Sequence, residues 1–105
     1  MNNDQKNQNE QQIINEIISV CQRLHARNML SAADGNISYK INNDRILITP
    51  SGIAKAFMKP EEMAIITIEN QIVHGRPSSE RLMHLEIYKT CPEAKAVIHA
   101  HPVTA

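Results

Sequence analysis

Two histidines, His99 and His101, are separated by a single alanine near the carboxyl-terminal end of the sequence. The apolar residues before them predict a buried strand over residues 96–101, which Pro102 ends. Residues two apart on a strand project from the same face, about 6.6 Å apart along it. Two imidazoles in this arrangement can converge on one divalent ion. The spacing is therefore typical of a pair of metal ligands, although a metal-free pair of hydrogen-bonded histidines has the same spacing.

A third metal ligand is not identified by its spacing. Catalytic zinc sites usually take three protein ligands and keep one position open. His84 lies in a predicted helix and His74 at the end of a predicted strand, and either could be recruited. His25 falls near the apolar stripe of the first predicted helix, where we expect a structural histidine.

The carboxylate of Glu80 stands at the predicted start of a helix, directly after Ser78 and Ser79. A capping box places its acid three residues after the cap, so Glu80 is not committed to one. Near a metal-bound carbonyl it could act as a general base. It could equally do no more than complement the helix dipole, and the residues alone leave both readings open.

Neutral hydrogen-bond donors recur in three predicted turns. Amide N–H groups at a helix start favour anions, and serine hydroxyls and an asparagine amide add further donors. These groups could hold a phosphate, although turns are rich in such residues for conformational reasons as well. The candidates are Asn36, Ser51, Gly52, Ser78 and Ser79.

The elements that position these residues follow from hydrophobic periodicity. Apolar residues at helical spacing from Ile13 to Leu24 predict an amphipathic helix that ends between residues 28 and 30. Residues 1–12 are almost wholly polar and predict a disordered tail. The further predicted elements are strands at 37–41, 45–49, 64–68 and 71–74, a one-turn helix at 59–62 and a helix at 78–90. This order predicts an α/β layer fold with a largely antiparallel sheet.

The composition excludes several classes of function. The 105 residues carry eleven acidic and eleven basic side chains for a net charge of zero, and 3% are aromatic, so we expect no nucleic-acid partner. No stretch approaches the roughly 18 apolar residues of a membrane span, and the polar amino terminus does not resemble a secretory signal. Cys21 and Cys91 lie far apart, and we expect both to be reduced in a cytoplasmic protein.

Four motifs, taken together and in order, resemble those of the class II aldolase/adducin family. They are Gly35-Asn36-Ile37-Ser38, Ile48-Thr49-Pro50-Ser51-Gly52, Pro77-Ser78-Ser79-Glu80 and His99-Ala100-His101-Pro102. The resemblance covers residues 13–105, the amino-terminal half of such a domain. It implies a three-layer α/β/α fold with a largely antiparallel central sheet, Zn²⁺ or another divalent cation, and a homotetramer with active sites at subunit interfaces.

The resemblance also implies a role for each candidate residue. Substrate phosphate would be held by Asn36, Ser51, Gly52, Ser78 and Ser79. Glu80 would be the catalytic acid/base residue, and His99 and His101 would bind the metal.

The implied reaction is cleavage of a ketose phosphate by an aldolase-type lyase. The metal would stabilise the enediolate formed when the carbon–carbon bond breaks. Glu80 would deliver a proton to that enediolate, or remove the proton in the reverse direction. The alternatives are a methylthioribulose-phosphate dehydratase, a pentose-phosphate epimerase, and a non-catalytic adducin-like module. The family pattern has a third histidine further downstream in a considerably longer domain, so we expect a truncated chain that is inactive alone.

Overall fold

The computed structural model describes residues 3–27, 35–51 and 58–100, with side chains described from residue 9 onward. Within these ranges the helices are α1 at Asn3–Ala26 and α2 at Arg81–Thr90, and a 3₁₀ turn lies at Pro60–Glu62. The strands are β1 at Asn36–Lys40, β2 at Arg45–Ile48, β3 at Ala64–Thr67, β4 at Ile72–His74 and β5 at Ala96–His99. The predicted hairpins and the second helix are confirmed within one to three residues at their ends.

The five described strands form one sheet in the order β4-β3-β2-β1-β5. Each neighbouring pair is antiparallel, which confirms the predicted largely antiparallel sheet. The chain lays down two hairpins side by side, and β5 then returns to the far side of β1. The end of β1 at Asn36 therefore lies between the end of β2 and the end of β5.

The two helices cover opposite faces of the sheet. Neighbours along β2 show the separation, since Leu47 packs with α1 whereas Ile46 and Ile48 pack with α2. The cluster on the α1 face contains Ile17, Cys21, Ile37, Leu47, Met58 and Met63. The cluster on the α2 face contains Ile46, Ile48, Ala64, Ile66, Leu85 and Tyr88. The layers are therefore α/β/α, as the resemblance implied.

Helix α1 begins at Asn3, ten residues before the predicted start at Ile13 and within the segment for which composition predicts disorder. The added turns are built from glutamine, glutamate, lysine, asparagine and aspartate, of which the first three are good helix formers. Such residues extend a helix that apolar side chains further along anchor to the sheet, so low hydrophobicity did not prevent helix formation. No helix within the described ranges is long and apolar enough to cross a membrane.

Strand β5 is less buried than its apolar sequence predicts. Within the described residues it pairs only with β1, so it forms an edge of the sheet. Ile98 is 56% exposed and lines an open cleft beside Ile13 and Ile17 of α1, whereas Val97 packs on the α2 face. The prediction of a buried strand was wrong for residues 96–99, because an apolar run does not say how many neighbours cover it. Residues 100 and 101 of the predicted strand lie after β5, and His101 lies outside the described residues.

The exit from β4 depends on Gly75. Its φ of +78° lies in the left-handed region that favours glycine, and a Cβ there would stand 3.2 Å from the Cα of Ala64. The backbone of β3 is therefore in close contact with the turn that leads to Pro77 and Ser78. This contact fixes where the chain begins its approach to α2.

Candidate functional site

Thr49, directly after β2, joins two of the predicted anion-binding segments. Its N–H donates to the Ile37 carbonyl at 3.0 Å, and its hydroxyl accepts the Ile37 N–H at 3.2 Å. Its carbonyl accepts the Ser78 N–H at 3.1 Å. Thr49 is wholly buried, so these bonds are shielded from water. Asn36 and Ser78, 42 positions apart in the sequence, are thereby held on either side of one threonine.

The third predicted segment runs alongside the other two. The Ser51 N–H donates to the Arg76 carbonyl at 2.9 Å, and Pro50 and Pro77 form an isolated antiparallel bridge. Ser51 therefore lies beside the stretch that delivers Ser78. Gly52, the remaining member of this predicted segment, lies outside the described residues.

The start of α2 is organised by Ser78. Its hydroxyl oxygen accepts the Glu80 N–H at 3.1 Å, and its carbonyl accepts the Arg81 N–H at 3.2 Å. Ser78 itself is 5% exposed, whereas Ser79 and Glu80 are exposed. Glu80 occupies the N-cap position without a side-chain capping bond. The helix therefore makes no structural use of this carboxylate as a cap.

His99 lies at the same end of the sheet as these segments. In the β1–β5 register it stands directly opposite Asn36. Val97, two residues earlier, packs on the α2 face, so the His99 side chain belongs to that face as well, and its Nδ1 atom is buried. The second predicted metal ligand, His101, lies outside the described residues. The structure thus places one predicted metal ligand next to one predicted phosphate ligand.

A buried polar network lies beneath α2 and reaches Asn36. The Nδ1 atom of His84 is 2.6 Å from the Ser38 hydroxyl, which is 2.8 Å from the Tyr88 hydroxyl. The Nε2 atom of His84 is hydrogen-bonded to the Oδ1 atom of Asn36. All four side chains are 3% exposed or less. Both ring nitrogens of His84 are engaged, so His84 is not a third metal ligand in this arrangement.

The network carries no charge at neutral pH. Burial chiefly, with a smaller contribution from the neighbouring imidazole of His99, lowers the pKa of His84 from 6.5 to about 4. Burial likewise raises the pKa of Tyr88 above its usual value. His84 is therefore a neutral imidazole with one donor and one acceptor nitrogen.

Sequence reasoning did not find this network, although it considered His84. His84 and Tyr88 stand four residues apart in α2, and this spacing places both on the buried face of the helix. Two polar aromatic side chains on that face were the available signal. Their shared partner Ser38 alternates with Ile37 and Tyr39 in β1, which directs it to the α2 face.

The other histidines lie away from this end of the sheet. His74 belongs to β4, at the opposite edge from β5, where its Nε2–H donates to the Glu61 carbonyl at 3.2 Å. His25 is exposed in the last turn of α1, in the layer on the other face. Among the described residues, no group of three or more histidine, cysteine, aspartate or glutamate side chains is placed to hold a metal.

We expect the free energy of unfolding to decrease as the pH falls from about 6.5 to about 4. In the unfolded chain His84 titrates near 6.5, whereas in the folded protein it takes up a proton only near 4. Over this interval the unfolded state binds more protons, so acidification favours unfolding. Urea unfolding of the native protein and of His84→Gln between pH 4 and 7 measures the effect. The decrease should be steeper in the native protein, and equal slopes would contradict the assignment.

Comparison with known proteins places the chain in a family. Residues 15–105 match the model of the Class II Aldolase and Adducin N-terminal domain. The chain is 38% identical over 88 residues to an L-fuculose phosphate aldolase of Methanococcus vannielii, a match that covers 84% of this chain and 48% of the relative. It is 37% identical over 87 residues to a methylthioribulose-1-phosphate dehydratase of Methylococcus capsulatus, covering 82% of this chain and 43% of that one.

A solved structure shows the same fold. The structure of an L-fuculose 1-phosphate aldolase superposes with a TM-score of 0.80 at 32% identity, over 88% of this chain and 45% of the other. The chain spans about half the length of the relatives it matches. The α/β/α layers, the order of the motifs and the match from residue 15 onward lead to one conclusion: this chain belongs to the class II aldolase and adducin family.

Proposed function

We propose that the native protein, by which we mean the intact domain rather than these 105 residues alone, is a metal-dependent lyase of the aldolase type that acts on a phosphorylated ketose. One observation carries the proposal: the bonds of Thr49 gather the segments of Asn36 and Ser78, and β-sheet pairing sets His99 opposite Asn36. Hydrogen-bond donors that could bind an anion therefore lie at the same end of the sheet as an imidazole that could bind a metal. A substrate that carries both a phosphate and a carbonyl matches that combination.

Phosphate would be bound at Ser51 and Ser78 by their side chains rather than by their main-chain N–H groups, whereas Gly52 would contribute its N–H. The N–H groups of Ser51 and Ser78 are already used, by the Arg76 and Thr49 carbonyls respectively. The Ser78 oxygen accepts the Glu80 N–H, which leaves the hydroxyl proton of Ser78 available to donate. Together with Asn36, Ser79 and Gly52 of the predicted set, these hydroxyls would surround the phosphate with neutral donors.

Glu80 would exchange the proton that the reaction requires. It is two residues from Ser78, and the hydrogen bond from its own N–H to Ser78 ties the carboxylate to the phosphate-binding segment. If that segment holds the phosphate, the carbon atoms of the substrate would lie close to Glu80. Positioning of this kind lowers the entropy lost in reaching the transition state.

His99 and His101 would hold the metal, with Zn²⁺ as the expected ion. The donor chemistry fits, because neutral imidazole is a usual zinc ligand and His99 stands on a strand at this end of the sheet. When bound, the ion would supply positive charge beside the substrate carbonyl oxygen. The role of this chain would be to present the imidazoles from a stiff support and to align the phosphate next to them.

A dehydratase acting on methylthioribulose phosphate is the second candidate. It is favoured by the 37% identity to the Methylococcus capsulatus enzyme of that name, which nearly equals the identity to the aldolase. Both reactions would use the same phosphate and metal groups. A cytoplasmic location and a homotetramer accompany either proposal.

The native protein, purified with its metal, should cleave a carbon–carbon bond of L-fuculose 1-phosphate more rapidly than it releases water from 5-methylthioribulose 1-phosphate. A chelator should abolish turnover, and added zinc should restore it. Product analysis by NMR separates cleavage from dehydration. The opposite preference would favour the dehydratase, and a metal-free protein inert toward both would favour the non-catalytic module.

The metal assignment is tested with a pair of variants in the same protein. His99→Ala should lose bound zinc and turnover together, whereas His74→Ala, at the opposite edge of the sheet, should retain both. Zinc is measured by elemental analysis of the purified proteins. Full zinc content in His99→Ala would show that His99 is not a ligand.

A further inference from the structure

His84, Ser38 and Tyr88 form a hydrogen-bonded network that the packing of α2 against the sheet does not require. These side chains occupy the interface between α2 and the sheet, where the neighbouring residues are Ile46, Ile48 and Leu85. Burying polar groups there is unfavourable unless each one is hydrogen-bonded. The network satisfies that condition, and its last member is Asn36, at the proposed phosphate site.

We propose that His84 is a positioning residue: through a directed chain of hydrogen bonds with Ser38 and Tyr88, it holds Asn36 with its NH₂ group turned toward the substrate phosphate. The inference rests on the proposed function, since that function assigns phosphate binding to Asn36. His84 itself touches neither phosphate nor metal in this scheme. It acts only by fixing which end of the Asn36 amide is presented.

The direction follows from the partners of each atom. The Oδ1 atom of Asn36 can only accept, so the Nε2 atom of His84 carries the hydrogen. In a neutral imidazole the Nδ1 atom is then an acceptor, so the Ser38 hydroxyl donates a hydrogen bond to it. Because the Ser38 hydroxyl hydrogen is used in that bond, Ser38 accepts the hydrogen bond from the Tyr88 hydroxyl. Each of these three hydrogen bonds then has one donor and one acceptor.

The reverse direction fails at its far end. With the amide of Asn36 turned round, its NH₂ group would donate to Nε2, and His84 would donate from Nδ1 to Ser38. Ser38 would then donate to Tyr88, and the Tyr88 proton would need a further acceptor. Besides Ser38, the Tyr88 hydroxyl is hydrogen-bonded to the main chain of Val97, and that bond favours the phenolate form, so it comes from an N–H donor. This partner offers the Tyr88 proton no acceptor. A buried hydroxyl without an acceptor disfavours this arrangement.

The forward direction prepares Asn36 for an anion. Its carbonyl oxygen is occupied by His84, and no hydrogen bond with another described residue engages its NH₂ group, which would bind the ligand. An amide free to rotate would present its oxygen to the phosphate part of the time, and the two groups would repel each other. Fixing the amide before binding removes this unfavourable orientation and the entropy of selecting the correct one.

The experiment is a double-mutant cycle on the native protein, with inorganic phosphate as the probe and its dissociation constant measured by calorimetry. His84→Leu should weaken phosphate binding about tenfold, as expected for losing one well-placed bond to a charged group. His84→Gln can still donate to Asn36 and should recover most of the loss. In an Asn36→Ala background His84→Leu should cause no further loss, because His84 acts only through Asn36. Glu86→Gln, an exposed position on the same helix, is the matched control and should bind phosphate normally.

Independent losses that multiply in the double mutant would overturn the proposal, because they would show that His84 acts without Asn36. Should His84→Leu fail to fold, ¹⁵N NMR of the His84 ring in the unaltered protein decides the question. The Nε2–H tautomer is expected, and the Nδ1–H tautomer would refute the chain of bonds. A protein that gives the expected cycle but converts no sugar phosphate would disprove the proposed function and leave the positioning role intact.

Discussion

Replacing Glu80 by glutamine should reduce turnover of the sugar phosphate by about a hundred- to ten-thousandfold, the usual contribution of a positioned acid or base. Glutamine has nearly the same size but cannot exchange the proton. The side chain of Glu80 makes no capping bond, and its backbone N–H will still bind Ser78. Helix α2 should therefore be undisturbed. Steady-state kinetics measure the effect, and elemental analysis and phosphate titration should show unchanged binding of zinc and phosphate.

The matched control for this prediction is Glu86→Gln. Glu86 is an exposed acid on the same helix, so its replacement removes the same charge at a position away from the proposed phosphate-binding residues. Its turnover should stay close to that of the native protein. Comparable turnover in both variants would show that Glu80 is not the acid/base residue, whatever the zinc content of the proteins.

Replacing Ile46 by alanine should lower the free energy of unfolding by about 2–5 kcal/mol, the range for large-to-small changes in a core. Ile46 is wholly buried in the cluster that joins β2 to α2 and includes Leu85 and Tyr88. The deletion removes apolar contacts and leaves a cavity beneath the helix that carries His84. Denaturant unfolding of the native protein and the variant, followed by circular dichroism, measures the difference.

Ile72→Ala is the comparison that isolates burial. Ile72 has the same side chain in strand β4, but it is 55% exposed. Its replacement should lower the free energy of unfolding by less than about 1 kcal/mol, because much of that surface already contacts water. Equal losses at the two positions would mean that Ile46 is not in a packed core.

Most of the fold was predictable because its signals are local. The turn residues between hairpin strands, the period-two alternation in β1, and the proline at the 3₁₀ turn each act over a few residues. Asn70 at the predicted β3–β4 turn adopts a φ of 68°, a conformation that asparagine tolerates well. Such features do not depend on distant parts of the chain.

The candidate site was predictable only as a set of residue types. Motif order linked Asn36, Ser51, Ser78 and His99, and the structure brings their segments to one end of the sheet. The bonds that achieve this run through Thr49, which the motif contains but to which sequence reasoning gave no role. Gly52 and His101 remain predictions, since both lie outside the described residues.

Two features escaped sequence reasoning because they depend on distant partners. His84 finds Ser38 and Asn36 across 46 and 48 positions of sequence, and no local pattern records such pairings. The exposure of Ile98 follows from the position of β5 in the sheet rather than from its composition. Local apolar character predicted a strand there correctly and predicted its burial wrongly.

The bonds around Thr49 have a consequence for how related proteins could diverge. Three of the links, from Thr49 to Ile37, from Ser78 to Thr49 and from Ser51 to Arg76, run between main-chain atoms. Substituting a side chain leaves such links in place, so the framework tolerates mutation of the very positions that would select a ligand. New substrate preferences could therefore accumulate one residue at a time, without an intermediate in which these three segments come apart.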